Sequence, residues 1–376
     1  MKHRILICFG TRPELIKLLS TILYLKEKKI KVILCNTSQH KEMLKPLISF
    51  YNLSIDYDLN ILKKNQSLSD LTSRLMKKFN HALVELRPDC IIVQGDTSTA
   101  FTCALTSFYN DIKVFHIEAG LRTNNIYSPW PEELNRSYIT KISNHHFAPT
   151  QRAKLNLLNE NVAGKNISVT GNTVIDILFK TLKKIKENSA LKAIYKKKFN
   201  FLDNKSFKIL VSVHRRENFG KPLKNIFFAI NEISKNQDIQ IIYSTHKNPN
   251  VISSARKYLK NKKNIVHVDS LNYIEFVYIM NSVDFLISDS GGMQEEAPSI
   301  GKPNLVLREY TERPEAIEKG AAYLVGTDKE RIINKFNYIY HNKSVLEKMS
   351  KKRNLYGSGR SYKIISEKIL KILSKD

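Results

Sequence analysis

Nowhere in its 376 residues does the chain carry C-x-x-C, G-x-G-x-x-G, G-x-x-x-x-G-K-[ST] or H-E-x-x-H. The missing glycine fingerprints speak against a dinucleotide cofactor and a P-loop nucleoside triphosphate. The missing histidine pattern speaks against a zinc protease, and the adjacent pair His145 and His146 reads as structural rather than as metal ligands. With only 4 cysteines and no paired spacing, neither a disulfide framework nor a thiolate metal site is indicated. Cys8, Cys35 and Cys90 lie in apolar, strand-like runs and read as buried, reduced thiols. No apolar run approaches the roughly 20 residues that span a bilayer. The basic start MKHRILICFG is too short in its apolar part for a signal peptide and lacks a cleavage site. A cytoplasmic protein with no membrane insertion is expected.

Acidic residues are scarce beside basic ones: 61 Lys and Arg stand against 35 Asp and Glu, a formal charge of +26. Such a surplus suits nucleic acid or an anionic surface. The lysines, however, are scattered over helical stretches such as 182–198 and 257–263 without aromatic base-stacking motifs. No nucleic-acid partner is therefore expected, whereas a nucleotide diphosphate fits the charge. The chain is 42% hydrophobic, enough for a substantial core, and long enough for two domains.

Short β-like runs alternate with helical stretches almost throughout. The expected strands are 4–9, 32–36, 90–95 and 114–118, then 209–214, 240–245, 265–269, 285–288 and 304–307. Most are continuous apolar runs rather than alternating ones, as befits parallel strands covered on both faces. The fold class is therefore α/β and doubly wound. A boundary is expected near TGNT (170–173), and a last helix over about 361–373 follows the Gly357–Gly359 break.

Several segments carry chemistry-bearing residues at strand ends. HIEAGLRTNNIYSPWPEELNR (116–136) sets Glu118, Glu132 and Glu133 beside His116, Arg122 and Arg136, around a turn stiffened by Pro129 and Pro131. Carboxylates held at a strand end suit proton transfer; the alternative is a salt-bridged surface turn. GTRPELIK (10–17) follows the first strand: Gly10 permits a tight turn, Arg12 offers an anion partner and Pro13 suits a first helical turn. In QGDTST (94–99), Asp96 sits on a loop after a strand, where it serves either as a helix N-cap or, with Glu118, as half of an acid/base pair. HRREN (214–218) groups an imidazole and two guanidiniums suited to a diphosphate. DSGGMQEEAP (289–298) is the strongest phosphate candidate. Ser290, Gly291 and Gly292 leave a strand and open a helix whose N–H groups suit an anion, and Glu296 follows one turn on for ribose hydroxyls. TERPE (311–315) adds Arg313.

In order and spacing, GTRPELIK, QHKEML, QGDTST, HIEAGLRT, YSPWPEELNR, VTGNTVID, HRREN, THKNPNV, DSGGMQEEAPSIGKP and TERPEA resemble the non-hydrolysing UDP-N-acetylglucosamine 2-epimerases of bacteria, almost from end to end. The resemblance implies the GT-B architecture, two Rossmann-like domains with UDP-sugar in a cleft between them. The first would cover residues 1–170, the second 171–357, and a C-terminal helix of about 358–376 would pack back on the first. It implies reversible interconversion of UDP-GlcNAc and UDP-ManNAc, supplying ManNAc for surface polysaccharide, without a cofactor. By the same resemblance Asp96, Glu118, Glu132 and His214 are catalytic. Arg12, Lys17, Ser290, Gly291, Gly292, Glu296 and Arg313 contact nucleotide and phosphates, and Phe276 lies near the uracil. Leu271 stands where some relatives carry Gln. The family also implies a homodimer and activation by UDP-GlcNAc at a second site, where Gln39, Arg74 and His246 fall.

The hydrogen at sugar C2 is not adjacent to a carbonyl and is not appreciably acidic. Inversion there needs transient oxidation or departure of a group from C1, and without a dinucleotide fingerprint the latter is expected. The expected route is anti elimination of UDP to 2-acetamidoglucal, followed by re-addition. A hydrolysing epimerase would tend to carry a GTRAE-like first loop. Other readings left open are an epimerase of another UDP-2-acetamido sugar, a GT-B glycosyltransferase, and an inactive UDP-sugar- or nucleic-acid-binding protein.

Overall fold

The computed structural model describes residues 3–63, 66–203, 205–245, 249–260 and 262–375. The chain divides into two compact units, one formed by Met1–Ile177 with Tyr356–Asp376, the other by Leu178–Leu355.

In the first unit the order is β1 (Arg4–Phe9), α1 (Arg12–Glu27), β2 (Lys31–Asn36), α2 (Lys41–Phe50), β3 (Tyr57–Asp58), α3 (Leu68–Leu86), β4 (Cys90–Gln94), α4 (Ser98–Tyr109), β5 (Lys113–Ile117), α5 (Glu132–Ile142), β6 (His145–Ala148), α6 (Gln151–Asn159) and β7 (Ile167–Val169). The long α7 (Thr173–Glu187) then runs into the second unit. The strands form a seven-stranded sheet in the order β3-β2-β1-β4-β5-β6-β7, with every pairing parallel. The run RILICF is buried from Ile5 to Phe9, because helices cover both faces of a parallel sheet. Helix α3 buries Leu71, Leu75, Phe79, Ala82 and Leu83, one stripe at helical spacing. Each leucine and phenylalanine of the stripe contributes about 1.5–3 kcal/mol. Its first turn is closed by a capping box between Ser67 and Asp70.

The second unit continues with α8 (Ser189–Lys198), β8 (Phe207–Ser212), α9 (Lys221–Ile233), β9 (Ile239–Ser244), α10 (Pro249–Leu259), β10 (Ile265–Val268), α11 (Tyr273–Ser282), β11 (Phe285–Ser288), α12 (Gly291–Ile300), β12 (Asn304–Val306), α13 (Glu315–Glu318), β13 (Ala322–Leu324), α14 (Lys329–His341) and α15 (Lys343–Met349). Its six-stranded parallel sheet has the order β10-β9-β8-β11-β12-β13. Phe227, Tyr243, Phe285 and Phe336 lie in its core.

Helix α16 (Ser361–Leu373) returns to the first unit. Asp176 accepts hydrogen bonds from the backbone N–H groups of Ser361 (3.1 Å) and Tyr362 (2.6 Å), supplying the cap that Arg360 does not. The rings of Tyr24 on α1 and Tyr362 meet edge to face at 5.3 Å. Ile365, Ile369 and Leu373 are buried.

All four cysteines are buried free thiols. Among the described residues, no helix is long and apolar enough to cross a membrane, and no group of three or more His, Cys, Asp or Glu is arranged to hold a metal.

Candidate active site

In each sheet the strand order reverses at one place, between β1 and β4 in the first and between β8 and β11 in the second. Loops leaving strands at such a reversal diverge to opposite faces and leave a crevice at the carboxyl ends. The segments 10–17 and 94–99 follow β1 and β4; the segments 214–218 and 289–298 follow β8 and β11.

In the first unit, the turn after β1 is drawn tightly against that after β4. A Cβ on Gly10 would stand 2.0 Å from Thr37 Oγ1 and 2.6 Å from Thr99 Oγ1, so only glycine fits. Those two hydroxyls are hydrogen-bonded at 3.0 Å. Glu14, fully buried, accepts from the N–H groups of Gly10 (3.1 Å) and Thr11 (2.7 Å) and from the Thr97 hydroxyl (2.7 Å). It thereby ties the N-terminus of α1 to that of α4. Burial pushes its carboxyl up, against the pull of these donors. Arg12 begins α1, and burial lowers its guanidinium from the ordinary value.

Lys17, one turn further, pairs with Glu118 at the end of β5. Both side chains are nearly buried, and Glu118 also accepts from Asn172 Nδ2 at 3.0 Å. Glu118 has φ of 66°, a left-handed conformation uncommon outside glycine. On the neighbouring strand, Asp96 is not the helix cap; Thr97 caps α4 through Ala100 N–H. The Asp96 carboxylate pairs instead with Arg136, and its carbonyl accepts from Asn135 Nδ2 at 2.8 Å. Arg136 also pairs with Glu133 at 3.0 Å, and Glu133 accepts from Thr123 and Asn124 N–H at 2.9 and 3.1 Å. Glu133 thus holds both ends of the loop that leads to Glu132, the first residue of α5. A carboxylate there is favoured by the helix dipole. The Ser128–Pro129 and Trp130–Pro131 bonds in that loop are cis.

Strands β4 and β5 pair with Gln94 opposite Ile117, which puts Asp96 and Glu118 on adjacent strand ends. His116 fixes this register further by donating from Nε2 to the Gly95 carbonyl at 2.8 Å. Burial, with the nearby His146, lowers its imidazole to about 3, so it stays neutral.

In the second unit, Asp289 is fully buried at the end of β11. It accepts from the backbone N–H groups of His214 (3.0 Å) and Arg215 (2.9 Å) and from Asn218 Nδ2 (3.0 Å). The His214 side chain is 39% exposed, with Nδ1 3.4 Å from Asp289 Oδ1. Ser290 is the N-cap of α12 and Gly291 its first residue. A Cβ on Gly291 would touch Arg313 Nη1 at 3.1 Å and approach Arg215 Nη2 at 3.5 Å, so two guanidiniums lie over the start of the helix. Gly292 is more open, a Cβ there meeting only Glu296 Oε2 and Ser290 Oγ, at 3.7 and 3.9 Å. Arg313 pairs with Glu295 and Glu312, and Arg308 with Glu312 at 3.0 Å. Burial works against ionisation of Glu312, but Arg313, Arg308 and Arg215 together hold its carboxyl well below the usual range. Glu296 accepts from the Tyr273 hydroxyl at 2.7 Å. Phe276 lies half-buried one turn beyond Tyr273 on α11, and Leu271, buried, precedes that helix.

Of the remaining expected residues, Gln39 and Arg74 are described. Gln39 accepts from Thr99 at 3.1 Å, beside the Gly10 turn. Arg74 on α3 donates to the Ile61 carbonyl (2.8 Å) and Gln66 (3.1 Å). His246 lies outside the described residues.

Sequence reading gave no role to Asp289, Asn172 or Tyr273, and noted Arg136 only as a neighbour. Arg136 stands four residues after Glu132 and three after Glu133 on one helix face, a spacing that pairs side chains. Asp289 directly follows the apolar run FLIS, where a buried carboxylate must find donors. The partners of Asn172 and Tyr273 are distant in sequence and had no such signal.

Two doubly wound units, one carrying paired carboxylates at strand ends and the other a glycine-opened helix beneath arginines, define a nucleotide-sugar enzyme of the GT-B class. The family model for UDP-N-acetylglucosamine 2-epimerase matches residues 24–374, and the chain belongs to that family of isomerases. It is 44% identical to the UDP-N-acetylglucosamine 2-epimerase of Neisseria meningitidis, over 98% of this chain and 99% of the relative. With the enzyme of Escherichia coli K12 the identity is 42%, over 97% of each chain. The crystal structure of the Neisseria meningitidis enzyme bound to UDP-GlcNAc superposes with a TM-score of 0.94, covering 98% of this chain and 100% of that one. The Methanocaldococcus jannaschii enzyme in complex with UDP-GlcNAc and UDP is 34% identical with a TM-score of 0.83, covering 99% and 100%.

Proposed function

We propose that this protein interconverts UDP-GlcNAc and UDP-ManNAc without hydrolysing either. The observation that carries the reading is the placement of Asp96 and Glu118 on adjacent strand ends, each against its own buried cation. Two carboxylates in unlike surroundings can divide acid and base duties. The UDP-GlcNAc bound by solved relatives supports the substrate.

A carboxylate of the first unit, from among Asp96, Glu118 and Glu132, removes the C2 proton. The C2–H electron pair forms the C1=C2 double bond as the C1–O bond breaks, and its electrons leave with UDP. The products of this half are 2-acetamidoglucal and UDP. In the return half a UDP oxygen re-forms the bond to C1 while a second acid protonates C2 from the opposite face. In the second unit Ser290, Gly291, Gly292 and Arg313 serve the phosphates, and in the first Arg12 and Lys17 are the proposed substrate contacts. Glu296 serves the ribose and Phe276 the uracil. His214 holds or protonates the departing diphosphate. Developing negative charge on a leaving group is where fixed N–H groups and cations act most strongly.

The test is incubation with UDP-GlcNAc in D2O without added cofactor, followed by proton NMR. UDP-ManNAc deuterated at C2 is the expected product. Free ManNAc with UDP would place the protein among hydrolysing epimerases, and unchanged substrate would overturn the activity. Asp96→Asn is expected to bind UDP but to lose exchange at C2.

A further inference from the structure

We infer that Asp289 is a positioning residue for His214, holding the imidazole with its proton on Nδ1 so that Nε2 faces the diphosphate. The inference rests on the role given to His214 above. Asp289 is fully buried, and an isolated carboxylate in such a place is costly unless donors surround it. Its Oδ2 is well supplied, accepting from His214 N–H, Arg215 N–H and Asn218 Nδ2 at 2.9–3.0 Å. Oδ1 is served less well, sharing the His214 N–H at 3.2 Å. The atom standing before Oδ1 is His214 Nδ1, at 3.4 Å.

A neutral imidazole has one N–H and one lone pair. Turning the lone pair of Nδ1 toward a carboxylate oxygen would set two acceptors against each other. Placing the proton there supplies Oδ1 with a donor, and it leaves Nε2 as the titrating atom. The same division of labour orients the imidazole in Asp–His pairs of unrelated folds. The distance is long for a hydrogen bond, and such contacts shorten when a ligand draws the ring. While the carboxylate is sealed, the His214 side chain is 39% exposed. Asp289 also accepts from Arg215 Nε through its own carbonyl, at 3.0 Å. One residue thus orients both the imidazole and a guanidinium that lies over the start of α12.

The experiment is a long-range proton–nitrogen correlation spectrum of the full chain with 15N-labelled histidine, at a pH where His214 is neutral. His214→Gln assigns the resonance. The wild-type spectrum is expected to show the Nδ1–H tautomer, and Asp289→Asn to shift it toward Nε2–H. In the epimerisation assay Asp289→Asn is expected to lose about 100-fold in kcat with KM changed less than about threefold. An Nε2–H tautomer in the wild type overturns the inference, and needs no variant to fold. An unchanged tautomer or unchanged kcat in Asp289→Asn overturns it as well. If the wild type makes no UDP-ManNAc, the proposed function fails separately, and the spectrum still decides the role of Asp289.

Discussion

Lys17 and Glu118, 101 residues apart, meet as a nearly buried ion pair, with side chains 10% and 7% exposed. The ammonium arrives on α1 and the carboxylate at the tip of β5. Breaking one side of such a pair strands the other charge. Lys17→Met is expected to cost about 3 kcal/mol of stability in denaturant titration, and about 100-fold in turnover if Glu118 works as proposed. Adding Glu118→Gln should recover most of the stability but none of the turnover. A double variant as unstable as the single one would show that the pair is not the source of the cost.

The turn at Gly10 leaves no room for a methyl group. Gly10→Ala forces a Cβ against Thr37 and Thr99 and is expected to destabilise the first unit by about 1–3 kcal/mol. Thr37→Ala should restore part of the loss, since the Thr99 hydroxyl would still stand at 2.6 Å. Thermal unfolding of the single and double variants checks both statements.

At Gly291 the neighbours are guanidinium groups rather than a wall of backbone. Gly291→Ala should shift the Arg313 guanidinium, which a Cβ would meet at 3.1 Å, off the start of α12 and weaken UDP binding about tenfold, or roughly 1.4 kcal/mol. Alanine is the better helix former, so the melting temperature should scarcely change. Calorimetric titration with UDP reads the first effect and a thermal melt the second.

Burial holds three histidines neutral. His116 falls to about 3, and His145 and His146 to about 4, from an ordinary value of 6.5. Between those values the unfolded chain binds protons that the folded chain does not, so stability rises with pH. It is complete above about 6.5 and is lost as pH falls toward 4 and then 3. Urea titrations from pH 7 to pH 5 are expected to show a steady decline, shallower in His116→Gln, which lacks one of the three groups. Equal slopes in the two proteins would contradict the burial assigned to His116.

The central strands were legible because parallel strands covered on both faces leave unbroken apolar runs. The runs at 4–9 and 285–288 match β1 and β11 end for end, and the others err by one or two residues. Three of the four edge strands left no such mark: β3 has two residues, and β7 and β13 three each, whereas the fourth, β10, falls within the expected 265–269. In β6, the histidines of HHFA masked a run that is buried throughout. At the site, glycines and prolines declared the turns because glycine's backbone freedom and proline's locked φ are encoded locally. The counter-charges were harder to read, since Lys17–Glu118 and Asp96–Arg136 are joined only by folding.

Helix α16 has a consequence for the order in which the chain is made. A ribosome that has just released Leu355 has delivered every residue of the second unit, whereas the first still lacks the helix that covers α1 and is capped by Asp176. During synthesis the half begun first is therefore completed last. Until the final turns emerge, the α1 surface awaiting Ile365 and Ile369 stands open to whatever chaperone meets the nascent chain.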